Sequence, residues 1–269
     1  MMELFPTRET FISIGSITIQ WYAVFIIIGA FVAYWIAKKE FVKAGYDKEM
    51  ASDFLASILV VGIVGARIWY VVFMFDELYK DNLWDIFKIN NGGLAIQGGI
   101  VAGVLFGYWF FKKRNIYFLY AGDVIMPNLL LSQVFGRIGN FVNQEAHGGE
   151  VTLEFLQSLH LPNFIIEGMY IDGVYYHPTF LYEGIGNLIG FLIIYFVVKK
   201  YVKVQGVAFF SYFIWYGIVR FFVEGLRTDS LYWMGMRTAQ LTSIGFVVFG
   251  VIGCVWAYQR YKKMEVKDV

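Results

Sequence analysis

Apolar residues fall into seven long stretches, at approximately 17–37, 50–74, 92–111, 118–141, 178–198, 206–224 and 238–259. Polar and charged positions collect between them. The first, third and last stretches hold no Asp, Glu, Lys or Arg. A bilayer core about 30 Å thick is crossed by about 20 helical residues, so each stretch predicts one spanning helix. Seven helices apolar on every side would leave a soluble protein without a polar surface, which excludes that class.

The charges between the stretches predict how the chain is threaded. Lys38, Lys39, Lys43, Lys48, Lys112, Lys113, Arg114, Lys199, Lys200, Lys203, Arg260, Lys262, Lys263 and Lys267 fall at one set of ends, and only Arg8, Lys80, Lys88, Arg227 and Arg237 at the other. Cytoplasmic loops retain Lys and Arg. The expected fold is therefore an all-α integral membrane protein of seven transmembrane helices in a single polytopic domain, residues 1–269. Its N-terminus is outside and its C-terminus cytoplasmic, and residues 142–177 between helices 4 and 5 form a small extracytoplasmic cap or a plain loop. That stretch has no Lys or Arg and carries Glu145, Glu150, Glu154, Glu167 and Asp172. The opening MMELFPTRET has no basic region ahead of an apolar core, so no cleaved signal peptide is expected.

Composition adds to this picture mainly by exclusion. The chain is 58% hydrophobic and 16% charged, and 22 Lys and Arg nearly cancel 21 Asp and Glu, so no nucleic-acid-binding surface is indicated. One cysteine, Cys254, allows neither an internal disulfide nor a cysteine metal cluster.

Three cations, Arg67, Arg137 and Arg220, fall inside apolar stretches, where an ion costs several kcal/mol and marks a site by default. In the predicted threading all three sit in outer halves, beside Tyr22, Gln97, His177, Tyr182 and Glu183, whereas Asp53 and Asp123 sit at inner ends. Gln133 and Asn140 flank Arg137 at helical spacing, and Tyr216 and Glu224 flank Arg220. Such a grouping predicts a polar cavity in the outer leaflet that takes an anion such as a phospholipid phosphate, for which the guanidinium fork is well suited. Arg67 has only small neighbours, and a side chain snorkelling to the headgroups accounts for it equally well. Gly92, Gly93, Gly98, Gly99 and Gly103 allow either close helix packing or room for an acyl chain. Glu183 and Glu224 are candidate charge partners of Arg67 or Arg220. A transporter of an anionic solute is the competing class, but the chain has no clear internal repeat.

Residues 136–148 read Gly-Arg-Ile-Gly-Asn-Phe-Val-Asn-Gln-Glu-Ala-His-Gly. This resembles the signature of the prolipoprotein diacylglyceryl transferases, and the likeness extends to Trp21-Tyr22, His177-Pro178-Thr179, Leu181-Tyr182-Glu183 and Arg220 to Glu224. The resemblance implies a bacterial cytoplasmic-membrane enzyme whose site faces outward and which needs no cofactor or metal. Such an enzyme moves the diacylglyceryl group of phosphatidylglycerol to the lipobox cysteine thiol in the signal peptide of a prolipoprotein, releasing glycerol phosphate. Carried over by position, Arg137 is the phosphatidylglycerol-binding arginine and Arg220 the second essential one. Tyr22, Glu145 and Glu224 complete the implied catalytic set, and Asn140, Gly148, Gln97, Gly98 and Gly99 the substrate-binding set. Gln97 stands where many members have a histidine proposed as the base, and Gln cannot take up a proton at neutral pH. Glu145, His147, Glu224 and His177 remain as candidate proton acceptors. His160 is expected at the surface, and Cys254 as an apolar filler.

Overall fold

The computed structural model describes residues 2–4, 7–15, 17–88 and 92–265. Among the described residues there are ten α-helices: α1 (Trp21–Lys43), α2 (Met50–Phe73), α3 (Ile96–Lys113), α4 (Phe118–Val142), α5 (Leu153–Ser158), α6 (Asn163–Gly168), α7 (Thr179–Leu192), α8 (Lys199–Tyr201), α9 (Val207–Leu226) and α10 (Thr238–Glu265). A π-helical segment, Ile193–Val198, joins α7 to α8. Among the described residues six helical segments are long and apolar enough to cross a membrane: Trp21–Lys43, Met50–Phe73, Phe118–Val142, Thr179–Tyr201, Val207–Leu226 and Thr238–Met264.

The structure changes two of the predicted stretches at their starts. Residues 17–20 are not helical. Ile17–Gln20 forms β3, which pairs antiparallel with β2 (Thr10–Ile14), and β2 pairs in turn with β1 (Met2–Leu4). The β-branched run Ile17-Thr18-Ile19 suits a strand, and Gly15, at φ +60°, turns the chain between β2 and β3. The third stretch begins at Ile96 instead of 92, because Gly92 and Gly93 sit at φ +83° and +77°, outside helical space. The resulting α3 has 18 residues and ends on Lys112 and Lys113, which keeps it out of the set of six.

Two compact units divide the chain, one of residues 1–36 and 122–269 and the other of residues 37–121. In the smaller unit α2 and α3 meet through glycine. A Cβ on Gly98 would collide with Trp69 and the Gly65 carbonyl, and one on Gly99 would lie 3.1 Å from the Gly62 carbonyl. Lipid offers no hydrophobic drive to associate helices, so such close backbone contact supplies the attraction. Phe54 and Phe111 (centroids 4.7 Å apart) fill the other end of this interface, and Asp53 pairs with Arg114 at 3.7 Å.

Arg67 also belongs to this unit, and its surroundings correct both readings offered above. Its guanidinium neither reaches for headgroups nor stands ready for an anion, because backbone carbonyls occupy it. Nε donates to Ile86 (2.8 Å), Nη1 to Gly92 and Gly93 (both 2.9 Å), and Nη2 to Asp85 (2.7 Å) and Lys88 (3.4 Å). The connection between α2 and α3 is thereby folded around one cation. The Tyr79 ring lies 5.3 Å from its centre.

In the larger unit α4, α7 and α9 surround an apolar cluster of Leu130, Phe191, Ile194, Ala208 and Tyr212. Asp123 of α4 accepts from the backbone N–H groups of Gly206 (2.6 Å) and Phe209 (2.7 Å), which caps the first turn of α9. Between α4 and α7 the strands β4 (Glu150–Val151), β5 (Tyr170–Ile171) and β6 (Val174–Tyr176) form an antiparallel sheet in the order β4-β6-β5. With α5 and α6 this sheet encloses its own small core of Leu156, Ile166 and Met169. A two-stranded hairpin, β7 (Tyr232–Trp233) with β8 (Met236–Arg237), joins α9 to α10.

The glycine contact yields a prediction about stability. Gly98→Leu should destabilise the protein by about 1–3 kcal/mol or more, since the added atoms meet backbone and a neighbouring Cβ that cannot rotate away. Gly62→Ala, whose Cβ would meet nothing within 4 Å, should be tolerated. Thermal unfolding of both variants in detergent, followed by size-exclusion chromatography, makes the comparison.

Candidate active site

The polar residues on α4, α7 and α9 converge on one carboxylate. Glu183, in the first turns of α7, is 1% exposed. Arg137 Nη2 donates to its Oε1 at 2.8 Å, and Arg220 Nη1 donates to its Oε2 at 3.2 Å. The network extends from both arginines. Arg137 Nη1 donates to Asn140 Oδ1 (2.8 Å), whose Nδ2 donates to Glu145 Oε1 (2.8 Å). Arg220 Nη2 lies 2.6 Å from Glu224 Oε2, and Glu224 is itself 3% exposed. One unbroken chain of contacts thus joins Glu145, Asn140, Arg137, Glu183, Arg220 and Glu224.

Helical periodicity explains the local part of this arrangement. Arg137 and Asn140 are three residues apart on α4, and Arg220 and Glu224 four apart on α9, so each pair shares a helix face. The Glu183 contacts are different in kind, since they span three helices and need the helices packed.

The segment after α4 turns back on itself. Asn140 O receives the backbone N–H of Glu145 (3.0 Å), and Gln144 and Ala146 adopt positive φ of 53° and 57°. Thr179 Oγ1 donates to Ala146 O (2.7 Å) and holds this turn to the start of α7. Gly148 N–H donates to His177 O (3.0 Å), His177 N–H to Gly149 O (2.9 Å), and Gly149 N–H to Leu226 O (3.1 Å). A Cβ at Gly148 would lie 2.6 Å from His177 Cβ and 2.9 Å from Leu226 O. This glycine is therefore required by backbone packing at the ends of α7 and α9. Gly139 does similar service for α1, since a Cβ there would lie 2.8 Å from the Tyr22 ring.

An open cleft of about 360 Å³ lies between the end of α9 and the start of α10, lined by Tyr216, Arg220, Glu224, Arg227 and Asp229 on one side and Thr238, Thr242 and Ser243 on the other. Arg227 binds Asp229 through two bonds, Nε to Oδ1 (2.9 Å) and Nη2 to Oδ2 (2.6 Å). This contact holds the Asp229 carboxyl below the usual carboxylate range. Arg237 of β8 donates to the Glu224 carbonyl and so fastens the hairpin to the end of α9.

The structure thus brings together Arg137, Asn140, Glu145, Arg220 and Glu224 and sets Tyr22 and Gly148 in packing contacts of the same unit. Gln97, Gly98 and Gly99 occupy the first turn of α3 in the smaller unit, where close approach to α2 accounts for the two glycines. Sequence reasoning groups Glu183 with the outer-half polar residues and makes it a candidate charge partner of Arg67 or Arg220, but leaves it out of the catalytic and binding sets. The structure pairs it with Arg137 and Arg220, and Arg67 has no carboxylate partner among the described residues. The sequence signals for Glu183 are an acidic residue inside an apolar stretch and a place in the Leu181-Tyr182-Glu183 run of the resemblance. His147 stacks on Tyr176 at 4.0 Å between centroids, and His177 approaches the Tyr182 hydroxyl at 3.3 Å. Burial lowers the His177 pKa, favouring the neutral ring. His160 is exposed, and Cys254 is half-buried with its Sγ 3.9 Å from Val207 O.

These features define a multi-pass α-helical membrane protein with a buried ionic site shared by three of its helices. Residues 9–256 match the family model described as prolipoprotein diacylglyceryl transferase, and the chain belongs to that family. Among its relatives, the phosphatidylglycerol–prolipoprotein diacylglyceryl transferase of Listeria monocytogenes serotype 4b is 44% identical over 257 residues, covering 96% of this chain and 91% of that protein. Proteins of the same name from Halalkalibacterium halodurans and Bacillus mycoides are 45% and 46% identical. The first alignment covers 97% of this chain and 90% of the relative, and the second 90% and 88%.

Two predictions follow from the geometry. Glu183→Gln keeps the side chain's shape but leaves two part-buried guanidinium groups with one carboxylate, and should cost up to about 3 kcal/mol of stability. Thermal unfolding in detergent against Glu145→Gln, whose partner is a neutral amide, measures this. For Arg227 and Asp229, the lowered Asp229 pKa means that their contact stabilises the fold above the ordinary aspartate value of about 3.9 and stops doing so as pH falls through the lower folded value. Asp229→Asn should therefore melt below wild type at pH 6, and the gap should close as pH approaches 3.

Proposed function

We propose that this protein transfers the diacylglyceryl group of phosphatidylglycerol to the lipobox cysteine thiol of a prolipoprotein and releases glycerol phosphate. The observation that carries the reading is the Arg137–Glu183–Arg220 network beside a cleft that Arg220 lines, in a chain belonging to the family whose members bear that activity in their name.

In this reading sulfur attacks the glycerol carbon bonded to the phosphate oxygen. The S–C bond forms, the C–O bond breaks with its electrons going to the phosphate, and the thiol proton passes to a base. The enzyme's task is to stabilise a thiolate and a leaving phosphate in a medium poor in water, which preorganised cations do without reorienting. Glu183 and Glu224 balance Arg137 and Arg220, so these four side chains carry no large uncompensated charge. An arriving phosphate competes for guanidinium N–H groups already aimed by those carboxylates. Arg137 holds the phosphate, Arg220 and Arg227 face it from the cleft, and Asn140 and Tyr22 support Arg137 and its helix. Glu145 and Glu224 end the two arms of the network and are the nearest acceptors for the thiol proton, with His147 and His177 behind them. Gln97, Gly98 and Gly99 serve substrate binding from α3, where Gln97 contributes as a neutral hydrogen-bonding group.

The same reading places the protein in a bacterial cytoplasmic membrane as one polytopic domain. α3 makes the seventh crossing, the N-terminus is outside, the C-terminus is cytoplasmic and the ionic site faces outward. The excess of Lys and Arg at one set of helix ends supports that threading. Residues 142–177, with their own sheet and core, then form a cap on the outer side.

Purified protein in phosphatidylglycerol vesicles should release glycerol phosphate only when the added lipobox peptide has a free cysteine. Arg137→Ala and Arg220→Ala should each reduce the rate about 100-fold or more, the scale of losing a preorganised charge. Release without the thiol, or near-full activity of both variants, would refute the proposal.

A further inference from the structure

Glu183 meets Arg220 only if α7 and α9 are held in one lengthwise register, and the contacts that set this register lie just inward of the ionic site. Two glycines of α7, Gly186 and Gly190, are one helical turn apart. A Cβ on Gly186 would lie 2.9 Å from Val219 Cγ1, and a Cβ on Gly190 would enter the Trp215 indole. Val219 and Trp215 are likewise one turn apart on α9. The pairing of 186 with 219 and 190 with 215 runs in opposite senses along the two chains, so the helices are antiparallel and mesh as two projections in two notches. Glu183 is three residues before Gly186 and Arg220 directly follows Val219, so the pair lies beside the mesh, with Oε2 and Nη1 3.2 Å apart.

Trp215 adds a directional element to this packing. Its Nε1–H donates to the Gly186 carbonyl at 2.7 Å, and the notch at Gly190 leaves the ring space to lie flat enough to do so. Apolar packing by itself has no directional contact to fix the lengthwise position of one helix against the other. An indole N–H in an apolar setting has no water to turn to, so its acceptor becomes a fixed point. Sliding by one turn moves a side chain about 5.4 Å along the axis, which would take Arg220 out of reach of Glu183.

We propose that Trp215 is a positioning residue for the transfer reaction, setting the register of α9 against α7 through the Gly186 carbonyl and thereby holding Arg220 on Glu183. The inference rests on the function proposed above.

Trp215→Phe removes the N–H and keeps an aromatic ring in the notch. The variant should lose about tenfold in kcat, within the range that a small misplacement of a catalytic group costs, with KM for phosphatidylglycerol changed less than threefold. Its loss should also be non-additive with that of Arg220→Lys, because both act on one pair. Additive losses, or a kcat equal to wild type, would overturn the proposal. A measurement independent of turnover accompanies these. In a Cys254→Ala background, spin labels at the exposed positions Ile185 and Ile218 should give a narrow distance distribution that broadens or shifts by several ångströms in Trp215→Phe. An unchanged narrow distribution would overturn the register argument even if activity fell. A wild-type protein that transfers no diacylglyceryl group would instead refute the proposed function and leave the register to be judged by the spin labels.

Discussion

A single carboxylate shielded from solvent, Glu183, is the constraint on which the larger unit depends. A charge that is 1% exposed in a membrane-crossing helix is costly unless it is paired, and here two guanidinium groups from different helices pair with it. The carboxylate is thus satisfied only when α4, α7 and α9 are assembled. Other features can be seen as what this assembly requires: the glycine notches of α7, the Asp123 cap on α9, and the backbone bonds joining Gly148, Gly149, His177 and Leu226 where the helices end.

Pairing the arginines with carboxylates also changes how the site can be expected to treat an anion. Two bare arginines would be expensive to keep in the membrane without an anion. With Glu183 and Glu224 as partners, the guanidinium groups are aimed in advance and their positive charge is moderated. In the proposed function, anion binding is then an exchange of partners in a low-dielectric setting, where small shifts in distance have large electrostatic effects. Arg67 shows the contrasting use of the same residue type. Its donors are taken by carbonyls of one connection, and its contribution is to shape that connection.

Much of this was legible in the sequence because it follows from chain-local physics. Apolar runs of spanning length, the bias of Lys and Arg to alternate ends, and the i, i+3 and i, i+4 neighbours of Arg137 and Arg220 are properties of a helix in a bilayer, readable one segment at a time. Within the motif from Gly136 to Gly148, the glycines at 139 and 148 prove to be points of close approach. The start of α1 was misread because Ile17 to Gln20 is apolar enough for a helix yet pairs as a strand with Thr10–Ile14, a partner that a hydropathy pattern does not register. The start of α3 was misread because Gly92 and Gly93 count as compatible with an apolar run although their positive φ ends it.

The sequence by itself determined that this is a multi-pass membrane protein, that three arginines lie within its apolar stretches, and which neighbours two of them keep on their own helices. Only the tertiary structure decided which carboxylate joins Arg137 to Arg220, that Arg67 belongs to a loop instead of a site, and that Trp215 reaches a carbonyl on another helix. The physical reason is that helix periodicity relates residues within four positions of one another, whereas Glu183 lies 46 residues from Arg137 and 37 from Arg220. Contacts at that separation depend on how helices mesh, which the order of residues along any single helix does not specify.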